Sequence, residues 1–154
     1  MRLAARLGIV AVVVAVAAAV LAGIGGSATV TGTVAAIKLN PKGEEAAQGV
    51  AFLHQVGKKV TGWVVVWGLD PNSEHAMHIH GPNGSCTKDA NVVVPFADIK
   101  ADAQGVAFAQ ISGTGKGGQV LKKGFYLNVH DYKTADLGTK GFEAVACGDI
   151  TSVK

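Results

Sequence analysis

Arginine is confined to the start of this chain: Arg2 and Arg6 are the only two. The formal charge of +3 includes them, and without them it drops to +1, with lysines and acids interspersed. Such a balance argues against nucleic acid or an acidic membrane surface as a partner. It also leaves the rest of the chain without a guanidinium fork for binding an anion. Cysteine is scarce, with two in all, Cys86 and Cys147, neither near the N-terminus, so a lipid-modified start is not expected. Histidine is missing altogether between Cys86 and Ala101. Beyond the N-terminal segment there is no helical periodicity, no internal repeat and no sign of a second domain.

The N-terminal segment has the layout of an export signal. A basic start, Met1 to Arg6, precedes an apolar run from Leu7 to Ile24 and the small residues Gly25-Gly26-Ser27-Ala28. That order suits a signal peptide spanning 1–28 and cleaved after Ala28. The apolar run is also nearly long enough to span a bilayer, so membrane anchoring through residues 7–24 is the alternative. Both readings export the remainder, 29–154, to the periplasm, the outer face of the membrane or the medium. Export permits disulfides, and two cysteines are then most simply one bridge, Cys86–Cys147. A pair of thiolate metal ligands is the other option.

The exported part reads as β throughout. Val30 to Leu39 alternates small and apolar residues, and Asn40-Pro41-Lys42-Gly43 is expected to turn. Gly49 to His54 and Val60 to Trp67 flank Gly57-Lys58-Lys59 in a hairpin pattern. Asp70-Pro71-Asn72-Ser73 turns into a histidine-bearing strand, and Val92 to Phe96 is a short strand. Gly105 to Ser112 alternates, with Ala107, Ala109 and Ile111 on one face, and the glycine-rich Gly113 to Gly118 reads as a turn. Phe125 to His130 and Phe142 to Ile150 complete the set. About eight short, regularly spaced strands predict a Greek-key β-barrel or sandwich.

Four of the five histidines fall in two places: His75-Ala-Met-His78-Ile-His80, and His130. On a strand, His78 and His80 share one face, as two ligands to one metal require, while His75 points to the other face. In Phe125-Tyr126-Leu127-Asn128-Val129-His130, the apolar residues alternate with Tyr126, Asn128 and His130. If the apolar faces form the core, His78, His80 and His130 point outwards, giving a metal site on the outside of the barrel under loops. Three imidazoles suit copper or zinc and leave a coordination position open. Met77 falls on the core face by the same parity. Trp63 and Trp67 share a strand face and read as packing residues, and His54 reads as a surface residue at a strand end.

These motifs, in this order, resemble the copper/zinc superoxide dismutases over about Gly49 to Ile150. The pattern His-x-x-His-x-His of the family's copper strand is matched by His75, His78 and His80. The resemblance implies that His78 and His80 bind copper and that His75 braces the site through a backbone hydrogen bond. Val64 to Leu69 resembles the approach to that strand, and Asp98 to Ala107 the strand after the zinc loop. Asn128-Val-His130-Asp131 with Ala135-Asp136-Leu137-Gly138 resembles the segment of the third copper histidine. Ala146-Cys147-Gly148 and Gly84-Ser85-Cys86 match the two halves of the family disulfide. The implied fold is the immunoglobulin-like barrel of that family. The implied activity is superoxide removal by one-electron copper cycling; the oligomeric state is left open, a homodimer being one option.

The departures bear on mechanism. The family's long loop carries the bridging histidine and further zinc ligands, whereas here it is short and histidine-free. Asp89 and Asp98 are its only acids, and neither matches the zinc aspartate well. Zinc is therefore not expected. The family's active-site arginine position is Ala144, and Lys133 or Lys140 is the nearest substitute for attracting an anion. The alternatives are a non-catalytic copper-binding or copper-buffering protein, and a structural β-domain of the chordin type. The latter resemblance does not explain Ala146-Cys147-Gly148.

Overall fold

The structure, a computed structural model, describes residues 32–43 and 47–151. The signal or anchor segment expected at 1–28, with its cleavage point, lies outside them. The strands are β1 (Thr33–Pro41), β2 (Gln48–Val56), β3 (Lys59–Trp67), β4 (Glu74–His75), β5 (Met77–His80), β6 (Val92–Pro95), β7 (Ile99–Lys100), β8 (Val106–Thr114), β9 (Tyr126–His130) and β10 (Ala144–Asp149). All belong to one unit, Gly32–Lys154. A single helical turn, Leu137–Lys140, lies between β9 and β10.

Eight strands form one antiparallel sheet in the order β6-β5-β9-β10-β1-β2-β3-β8. The sheet curls until its ends nearly meet, where the Lys116 amide donates to the Val93 carbonyl at 2.9 Å. The result is an all-β, nearly closed barrel, as the strand spacing predicts. The chain leaves β3, forms β5 and β6 at the far end of the sheet, and returns as β8 beside β3, a long crossover of the Greek-key kind.

Alternation decides which side chains go inside. Ala35, Ile37 and Leu39 of β1 are buried with Ala51 and Leu53 of β2, Val64 and Val66 of β3, and Ala107 and Ile111 of β8. Met77 and Ile79 of β5 and Leu127 and Val129 of β9 extend the same core. Their alternate neighbours point outwards, so Trp63 lies on the outer face, stacked on Phe108 with ring centroids 5.3 Å apart. The β2–β3 hairpin turns through Gly57-Lys58, with Gly57 at φ 58°, a left-handed conformation that favours glycine. The expected turn at Asn40 starts later, because Asn40 and Pro41 still pair with Cys147 and Ala146 as the end of β1. Proline's fixed φ fits extended backbone at a strand end. Buried Gln55 secures the loop before β9: its Oε1 accepts from the amides of Val120 and Leu121, and its Nε2 donates to the carbonyls of Gly57 and Gly118.

The histidine segment is not one regular strand. His75 belongs to β4, which pairs with β7 in a separate two-stranded sheet, while His78 and His80 belong to β5 in the large sheet. Ala76 divides them, since its amide donates to the Tyr132 carbonyl and its carbonyl accepts from the His130 amide. The sheet has two register shifts, and both adjoin a histidine. Val93 is the extra residue on β6 opposite Ile79–His80, and Val145 the extra residue on β10 opposite Val129–His130. A bulge bends its strand and increases the local twist, re-aiming the side chains around it. The carbonyls at the bulges are still satisfied, Val93 by the Lys116 amide and Val145 by the Lys42 amide.

Candidate metal centre

His78, His80 and His130 converge. Each offers one nitrogen, and the three nitrogens lie within 4.8 Å of one another. Two nitrogens bound to one ion at about 2 Å each lie up to about 4 Å apart, so this spacing is on the scale of a metal site. The three face away from the barrel core, as strand parity predicts, yet they are only 7%, 8% and 3% exposed.

The cover comes from loops, and it also fixes the tautomers. His80 Nδ1–H donates to the Ala90 carbonyl at 2.9 Å, and His130 Nδ1–H donates to the Phe142 carbonyl at 3.0 Å. Each leaves Nε2 as a bare acceptor. Among the described residues, the buried side-chain nitrogens with no hydrogen-bond partner are His80 Nε2, His130 Nε2 and His78 Nδ1. A tethered imidazole with its other nitrogen free is the usual arrangement around a metal. Tyr126 supports the group: its ring stacks on His80 with centroids 5.0 Å apart, and its hydroxyl accepts from the Ala90 amide. Gly84 allows the loop to lie against that tyrosine, since a Cβ there would sit 2.6 Å from the Tyr126 ring.

Electrostatics favour neutral rings. Burial, reinforced by the neighbouring His130 and His80, pushes His78 down to about 4. Burial also holds His80 and His130 below the ordinary histidine value, against the carbonyl hydrogen bonds that raise it. Neutral imidazole is the form that binds metal, so these three side chains are competent ligands near neutral pH. The donor set fits a copper or zinc ion.

His75 is buried beside the centre and donates from Nδ1 to the His130 carbonyl at 2.8 Å, with Nε2 2.6 Å from Ser73 Oγ. Cys86 and Cys147 are bonded to each other, so neither is a thiolate ligand. Lys133 pairs with Glu74 at 3.5 Å and Lys140 with Asp136 at 2.9 Å, which largely balances both charges. The cation whose field reaches His80 and His130 is Lys42 instead, just past the end of β1; nothing in its local sequence signals that placement. Asp98 is engaged by the loop after β9, accepting from the amide and hydroxyl of Thr134. Ala144 is the strand partner of His130. No sequence motif marks Tyr126 or the carbonyls of Ala90 and Phe142 as supports, although strand alternation places Tyr126 on the His130 face.

Fold and site together define a class: a disulfide-bonded β-barrel with a buried group of three histidines that could hold one metal ion. No known family model matches the chain, and no curated protein matches it.

Proposed function

We propose that this is an exported, superoxide dismutase-like copper protein that holds one ion on His78, His80 and His130. The observation that carries the reading is the set of three bare, buried nitrogens, two of them fixed by Nδ1–H bonds to loop carbonyls. His75, bonded to the His130 backbone, occupies the bracing role that the family resemblance implies. The disulfide supports a non-reducing location. Copper bound there would supply one-electron chemistry, the basis for superoxide removal. The protein's own contribution is to hold three neutral imidazoles in fixed orientation, behind a cover that limits water.

A second reading, copper holding without rapid turnover, is favoured by Ala144. It stands directly across from His130, at the position where the family resemblance expects an arginine, so no guanidinium is available to bind an anion. One experiment decides between the two. The protein is loaded with copper, and bound metal and superoxide removal are measured for it and for His80→Ala. One copper per chain, lost in the variant, is expected. Superoxide removal no faster than that of free copper would leave the holding role. The absence of stoichiometric copper in the parent protein would overturn both.

A further inference from the structure

Among the described residues, four buried side-chain polar atoms have no hydrogen-bond partner: His78 Nδ1, His80 Nε2, His130 Nε2 and Asn128 Oδ1. The three-histidine site accounts for three of them and leaves the amide oxygen unexplained. Asn128 is 6% exposed, and its position ties it to the same centre. It lies on β9 two residues before His130, so the two side chains leave the same face of the strand. It is also the direct partner of His78 across the β5–β9 pair, and opposed Cβ atoms in such a pair lie about 4.5–5.5 Å apart. Across β10 it faces Cys147, whose sulfur is held in the disulfide and has no hydrogen to donate. A buried amide oxygen without a donor is unfavourable, and an apolar β-branched residue would suit this strand position better.

We propose that Asn128 Oδ1 is a fourth protein donor of the metal centre, converting a three-nitrogen site into one of three nitrogens and an oxygen. An amide oxygen is neutral and hard. Added to three imidazoles it favours copper(II) over copper(I), which prefers softer donors. It also occupies a position that three ligands alone would leave to water. This deepens the copper reading above and rests on it.

The test uses the full chain and compares it with Asn128→Val and Asn128→Asp. Copper(II) affinity is measured by competition with a chelator, copper(I) affinity by the same method under reduction, and the copper(II) donor set by electron paramagnetic resonance. In Asn128→Val, copper(II) affinity is expected to fall about tenfold or more, with copper(I) affinity unchanged and the hyperfine pattern altered. Asn128→Asp, which keeps an oxygen donor, is expected to restore copper(II) affinity. The metal-free Asn128→Val protein is expected to melt no lower than the parent, since the buried amide oxygen that it removes has no donor. An unchanged resonance spectrum and copper(II)/copper(I) ratio in Asn128→Val would overturn the proposal, as would failure of that variant to fold. If the parent chain takes up no copper, the copper reading fails by itself. Cobalt(II), whose visible absorption reports its donors, then tests Asn128 on its own: a spectrum altered in Asn128→Val supports the fourth donor, and an identical one overturns it.

Discussion

His75 Nδ1–H donates to the carbonyl of His130 at 2.8 Å, joining residues 55 apart in the chain. One histidine thus grips the peptide of another whose ring is offered to a metal. The bond crosses from the small β4–β7 sheet to the end of β9, so it sets where the third imidazole begins.

His75→Ala is therefore expected to weaken metal binding without removing a ligand. Loss of a supporting bond of this kind lowers metal affinity about 10–100-fold. It also leaves the buried His130 carbonyl short of a donor, at a cost of about 1–3 kcal/mol. Competition titration and thermal unfolding read the two effects. An unchanged metal affinity would show that the brace serves the fold alone.

The disulfide is expected to matter to the site as well as to stability. Cys86 lies in the loop that supplies the Ala90 carbonyl, Cys147 lies in β10, and the Cys86 amide also donates to Asp149 Oδ1 at 2.8 Å. Removing a bridge that closes a loop this long costs about 4 kcal/mol in the chain-entropy model. A variant carrying both Cys86→Ser and Cys147→Ser should melt well below the parent protein and bind metal more weakly, because the tether on His80 Nδ1 loosens. Equal metal affinity in the two folded proteins would separate the bridge from the centre.

Acid should destabilise the metal-free protein over a defined range. His78 titrates at about 4 in the fold, chiefly because burial disfavours its charge, and at about 6.5 when unfolded. Between these values the unfolded chain binds more protons, so stability falls as pH drops from about 6.5 to 4 and this contribution then levels off. His80 and His130, also held low by burial, act in the same direction. Melting temperatures of the metal-free protein measured across this range should decline. His78→Gln should flatten the decline; a slope unchanged in that variant would assign it to other groups.

Much of this was legible in residue order. Period-two alternation in Ala35-Ile37-Leu39 and Leu127-Val129 reads directly as an inner face, and the same rule places His78, His80 and His130 together on the outer one. What the sequence concealed depends on contacts between distant segments. His75 follows a strand-parity argument only until Ala76 diverts its backbone to Tyr132 and His130, a pairing no local pattern records. The burial of the outward-facing histidines is likewise due to loops carrying Ala90 and Phe142, whose contribution is a carbonyl that every residue type possesses. Lys42, whose field reaches the centre, is tied at its amide to the carbonyl of the Val145 bulge at 3.0 Å.

The two bulges set a condition on transplanting this centre. Val93 and Val145 each lie on a neighbouring strand, opposite a histidine and contributing no ligand atom, yet both alter the local twist on which the histidines sit. Grafting only the three imidazoles onto a regular eight-stranded scaffold would copy the chemistry and lose the aim. A faithful graft has to carry two valines that supply no ligand atom.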